Sequence, residues 1–123
     1  MLKDDLYERG LAIRREMFGR KRAEDQIEAV GEFNEKLQEI VTRYCYGDIW
    51  ARDGLDRRER SLITLAFLVA LGRPDEIEFH LDGAIANGAT VVEIRELLLQ
   101  ATLYCGLPAA NDAFRVAQRV LNP

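Results

Sequence analysis

Apolar residues recur at spacings of three and four along this chain and nowhere alternate with polar ones for long, so the pattern predicts helices and no sheet. A first helix is expected from about Lys3 to Phe18, with Leu6, Leu11, Ile13 and Met17 loosely amphipathic. Gly19 and the basic run Arg20-Lys21-Arg22 read as its C-terminal stop. A second helix is expected from about Glu24 to Tyr44, with Ile27, Val30, Phe33, Leu37, Ile40, Val41 and Tyr44 on one stripe. Tyr46 to Trp50, containing Gly47, reads as a bent or separate turn.

Asp53-Gly54 marks a turn, and Asp56-Arg57-Arg58-Glu59 has the spacing of a capping box. The third helix then runs to about Leu71 and is apolar almost all round, through Leu62, Ile63, Leu65, Ala66, Phe67, Leu68 and Val69. A helix without a polar face has to be covered by protein, as a central helix, a subunit interface or both. Gly72-Arg73-Pro74 breaks it, and Pro74 suits the first turn of a fourth helix that Asn87-Gly88 closes. Thr90-Val91-Val92-Glu93 is a second capping box, opening a fifth helix to about Tyr104. Gly106 interrupts, and Pro108 starts a sixth helix to about Val120. The expected fold is all-α, a bundle of about six helices in a single domain spanning 1–123.

Charge and composition narrow the partners. Apolar residues at 48% and charged residues at 31% are ordinary for a globular protein, and a net charge of −4 argues against nucleic acid, which attracts a basic stripe. The run from Leu62 to Leu71 is about half of the ~20 apolar residues that a spanning helix needs, so no membrane partner is expected. Met1-Leu2-Lys3-Asp4-Asp5 lacks the pattern of an export signal. The expected location is cytoplasmic, with Cys45 and Cys105 as two reduced thiols.

His80 is the single imidazole in the chain, and so the one side chain whose ordinary pKa lets it change charge near pH 7. Glu76 precedes it by one helical turn and can face the same way, where a carboxylate would raise the imidazole pKa and fix its orientation. Spacing alone favours the plainer reading, a helix residue with one satisfied hydrogen bond. Arg57, Arg58 and Arg60 cluster where the third helix begins, a place suited to carboxylates, or are solvated arginines that balance nearby acids.

Several segments together resemble the carboxymuconolactone decarboxylases, within the alkyl-hydroperoxidase-D-like all-helical superfamily. The residues are Gly47-Asp48-Ile49-Trp50, Gly54 through Leu62, Leu71-Gly72-Arg73, His80-Leu81, Asn87-Gly88, and Tyr104 through Asn111. The order and spacing are family-like from about Tyr7 to Leu121. The resemblance implies a ring-shaped homo-oligomer, commonly a hexamer built as a trimer of dimers. It also implies decarboxylation of 4-carboxymuconolactone to the enol-lactone of 3-oxoadipate, in protocatechuate breakdown, without a cofactor. The hydroperoxidase relatives use a Cys-x-x-Cys pair, which would fall on Arg73 and Glu76, and a relay glutamate, which would fall near Ser61. A thiol relay needs two cysteines in reach of each other, so a peroxidase is not expected. Histidines that decarboxylase relatives often carry near Gln100 and Asp112 are absent.

Decarboxylation leaves an electron pair that needs a sink. A dianionic lactone supplies its own, a carbonyl conjugated through a ring double bond to the carbon that loses its carboxylate. The protein then has to hold the dianion, stabilise an oxyanion and deliver one proton to carbon. The resemblance makes His80 the expected proton donor, with Glu76 beside it. Arg57 and Arg60, three residues apart and so on roughly one face, are the expected contacts for substrate carboxylates, with Arg58 diverging. Ser61, Trp50, Tyr104 and Asn111 complete the candidate substrate-binding set. Trp50 and Tyr104 are also ordinary core or interface aromatics, and Asn111 could donate to an oxyanion or merely cap. The remaining alternatives are an enzyme for another small lactone or acid, and a non-catalytic oligomeric binding module on the same fold.

Overall fold

The computed structural model describes Met1 to Pro123. It consists of seven α-helices and one π-helix: α1 Asp5–Phe18, α2 Arg20–Glu28, α3 Glu35–Ile40, the π-helix Val41–Ile49, α4 Arg57–Leu71, α5 Pro74–Ala86, α6 Val91–Tyr104 and α7 Leu107–Leu121. The chain divides into two compact units, Met1–Asp56 and Arg57–Pro123.

In the first unit α1 packs along the π-helix and against α2. Asp4 caps α1 by accepting from the Tyr7 backbone N–H, and its carboxylate also receives Arg43 of the π-helix at 2.8 and 3.0 Å. Two glycines make the close crossing possible. A Cβ on Gly10 would collide with the Thr42 carbonyl, and one on Gly47 with the Leu6 carbonyl. Arg9 donates to the Gly47 carbonyl at 2.8 Å across the same contact. The core holds Tyr7, Leu11, Met17, Phe18, Ala23, Tyr46 and Trp50. Phe18 meets Tyr46 edge-on and Trp50 stacks on it, each at 5.9 Å between centroids.

Arg14 is buried in this unit. It donates to Thr42 Oγ1 at 2.8 Å, Gln26 Oε1 at 2.7 Å and Gln38 Oε1 at 3.2 Å, and lies over the Tyr46 ring. Neutral groups thus hold this charge, and burial pushes its pKa down from the usual arginine value.

The single second helix expected from Glu24 to Tyr44 is broken. The chain leaves α2 at Ala29 and turns where Gly31 N–H donates to Asn34 Oδ1 at 2.8 Å, before α3 begins. The basic run after Gly19 is the first turn of α2 rather than a stop, with Arg20 and Lys21 paired one turn on to Glu24 and Asp25. Of the segment expected as a bent or separate turn, Tyr46 to Ile49 belongs to the π-helix and Trp50 is its C-cap, with the Trp50 N–H bonded to the Cys45 carbonyl at 2.9 Å. The apolar stripe of this segment points outward in part: Phe33 is fully exposed, and Leu37, Ile40 and Tyr44 are about half exposed.

The second unit follows the sequence more closely. Its core is built from Leu65 and Val69 of α4, Ile77, Leu81 and Ala84 of α5, Ile94, Leu98 and Ala101 of α6, and Ala113, Val116 and Ala117 of α7. Pro74 opens α5 as expected. Thr90 and Glu93 form the full capping box at α6. At the end of α5 Asn87 stays at φ −85° and Gly88 alone takes the left-handed turn, at φ 97°. Helix α4 buries one face, and leaves Phe67 and Leu71 of its apolar surround at 62% and 72% exposure.

Candidate active site

Of the candidate site residues, Trp50 lies in the first unit and the rest lie in the second. Trp50 is buried on Tyr46, and its side chain bonds to the Cys45 thiol, which burial nonetheless pushes up in pKa. Cys45 and Cys105 are free thiols.

His80 stands on the second turn of α5, half-buried, with Nδ1 beneath the surface and the Phe79 ring edge-on at 5.5 Å. Burial pushes its pKa down from 6.5 to about 4, and the nearby Glu76 carboxylate opposes this without reversing it. Glu76 thus acts on the imidazole in the expected direction, but desolvation outweighs it, and the free protein carries a neutral imidazole at pH 7. Glu76 is itself drawn toward Arg73, which donates to it at 2.7 Å, and its pKa is lowered by backbone hydrogen bonding and then by this arginine.

Of the three arginines at the head of α4, Arg58 turns to α6, another helix of the unit, where its guanidinium donates to Glu93 through Nε at 3.1 Å and also pairs through Nη2 with the other carboxylate oxygen. Arg57 and Arg60 are half-buried on the first turn.

Ser61 is 1% exposed and accepts from Asn87 Nδ2 at 3.0 Å. In the structure this hydroxyl ties α4 to the end of α5, the helix that carries His80. Ser61→Ala strands the Asn87 amide and is expected to lower stability by about 1–2 kcal/mol, read from urea melts. An unchanged midpoint would mean that water replaces the bond.

Tyr104 is 84% exposed rather than a core residue of this chain, and lines a groove of about 440 Å³ between α4 and α6 with Leu62, Ala66, Leu97 and Cys105. His80 is not among the residues lining that groove. Asn111 is exposed within the first turns of α7, whose N-cap is Gly106, so it does not cap. Sequence reasoning missed the acceptor role of Glu93 toward Arg58 and the amide of Asn87. In the sequence both residues read as helix-end residues alone, and spacing along one helix carries no signal for a contact made by another.

The model of the carboxymuconolactone decarboxylase family matches residues 35–119, and the chain belongs to that family. It is 42% identical over 120 residues to a 4-carboxymuconolactone decarboxylase of Acinetobacter baylyi, covering 98% of this chain and 90% of that one. It is 37% identical over 117 residues to a nitrosuccinic acid decarboxylase of Metarhizium robertsii, covering 95% and 82%. An uncharacterized 15.0 kDa protein of Paracoccus denitrificans matches at 35% over 77 residues, 61% of this chain and 58% of the other.

Proposed function

We propose that this protein is a carboxy-lyase that converts 4-carboxymuconolactone to the enol-lactone of 3-oxoadipate and carbon dioxide without a cofactor. The near full-length likeness to a decarboxylase of that lactone carries the reading. The chemistry of the residues supports it. Loss of the carboxylate sends its electron pair through the ring double bond onto the lactone oxygens, as a furanolate. One proton then has to reach carbon, and His80 is the residue proposed to deliver it.

The depressed pKa of His80 gives that step a condition. A neutral imidazole is a poor acid toward carbon. A bound dianion brings negative charge to the ring and favours imidazolium, so the donor forms in the complex. Glu76, restrained by Arg73, adds to that field. Arg57 and Arg60 are proposed to hold the carboxylates through two-point contacts. Ser61 acts through the alignment of α4 with α5, Tyr104 and Asn111 have the exposure of residues that meet a neighbouring subunit, and Trp50 completes the proposed substrate-binding set.

A homo-oligomeric ring, hexameric as a trimer of dimers, belongs to the same reading. The uncovered apolar positions Phe67, Leu71, Leu103 and Leu107 of the second unit support it. Light scattering should report a mass several times that of one chain, and a monomer would remove this part. Turnover of authentic 4-carboxymuconolactone, followed by carbon dioxide release, tests the function itself; binding without release would leave a binding module. Replacing Arg57 or Arg60 with Leu should raise KM for the dianion about tenfold or more, at about 1.4 kcal/mol per decade. An unchanged KM in both variants would refute their assignment.

A further inference from the structure

The two named relatives act on different compounds, a carboxylated lactone and nitrosuccinic acid. Drawn out atom by atom, the two share a frame. In each, one carbon carries a carboxylate and an electron acceptor, and a methylene joins that carbon to a second carboxylate. Both are succinates substituted at carbon 2. In the lactone the acceptor is the conjugated ring carbonyl, and in nitrosuccinate it is the nitro group.

The head of α4 offers two cationic side chains whose backbone spacing is on the scale of such a frame. Arg57 and Arg60 are one turn apart, about 4.5 Å along the helix axis at 1.5 Å per residue. The carboxyl carbons of an extended succinate are about 4 Å apart across three C–C bonds of about 1.5 Å each. Arg58, between them in sequence, is tied to Glu93 and fixes the turn that carries the other two.

Resting on the decarboxylase reading above, we infer that the site takes as a class succinate dianions bearing an electron acceptor on the carbon that loses carbon dioxide, and that it requires no ring. The probe is 2-acetylsuccinate, whose acceptor is a ketone. The bond from carbon 2 to its carboxylate breaks, and carbon dioxide leaves. The electron pair enters the ketone as an enolate. One proton from the His80 imidazolium then adds to carbon 2, giving 4-oxopentanoate. The dianion plus one proton balances against carbon dioxide plus the monoanionic product.

The assay measures carbon dioxide release above the spontaneous rate, with the lactone, 2-acetylsuccinate, 2-acetylglutarate and acetoacetate supplied to one preparation of the protein. 2-Acetylglutarate keeps the sink and moves the second carboxylate by one methylene. Acetoacetate keeps the sink and removes that carboxylate. The expected result is turnover of 2-acetylsuccinate, lost in His80→Gln, with kcat/KM at least about 100-fold above those of the other two keto acids. Turnover of the lactone with none of 2-acetylsuccinate overturns the inference and leaves the decarboxylase reading standing. Equal rates on all three keto acids overturn the succinate frame. No turnover of the lactone itself overturns the reading on which the inference rests.

Discussion

Replacing His80 with alanine should lower kcat for the lactone by about 10²–10⁴-fold, the usual contribution of a positioned proton donor. The protein should stay folded, because the α5 core is formed by Ile77, Leu81 and Ala84 rather than by the imidazole. Circular dichroism and the melting temperature separate the two effects. The loss should appear in kcat more than in KM, since the proton is needed after the dianion has docked. His80→Gln keeps a hydrogen-bonding side chain of similar reach and cannot carry the proton, so it should fall with alanine. Near-wild-type turnover in either variant would remove His80 from the reaction and send the search to a shifted carboxylate or arginine-bound water.

The same side chain should make stability depend on pH in a defined window. Its folded pKa of about 4 lies below its ordinary 6.5, so between those values the unfolded chain holds the proton and the folded one does not. Stability is then fully present above 6.5 and is lost as pH falls toward 4. Integrated, the drop from pH 7 to pH 5 is about 2 kcal/mol. Urea denaturation at the two values measures it, and His80→Gln should flatten the difference. Asp4, held down to about 2 by Arg43 and by the Tyr7 N–H, titrates below this window and does not mimic it. An equal slope in the glutamine variant would mean that the ring is solvated in solution and that its neutral resting state is wrong.

The second unit was legible because its signals are local. A proline at the start of α5, a glycine that alone turns left-handed at its end, and a reciprocal Thr90–Glu93 cap each act within four residues of themselves. The first unit was legible only in α1. The stripe from Ile27 to Tyr44 has flawless helical spacing, yet spacing does not say which side of a helix meets protein, and Phe33 faces outward. Nor does it distinguish a four-residue from a five-residue hydrogen-bond step, so the π-helix was invisible. What selects this crossing is a pair of glycines 37 positions apart, Gly10 and Gly47, each meaningful only in the presence of the other helix. At the candidate site, the turn of Arg58 away toward α6 was legible in the spacing of the arginines. The balance between burial and Glu76 was not, because desolvation depends on what surrounds the ring.

Glu93 serves two helices with one side chain: Oε1 accepts from the Thr90 backbone N–H at 2.9 Å while the carboxylate grips Arg58. Substitution at either position therefore frees a charge and loosens a joint together. Descendants of this chain should inherit the two as a matched couple, and a library that varies them independently should return mostly cripples, with survivors enriched in complementary exchanges.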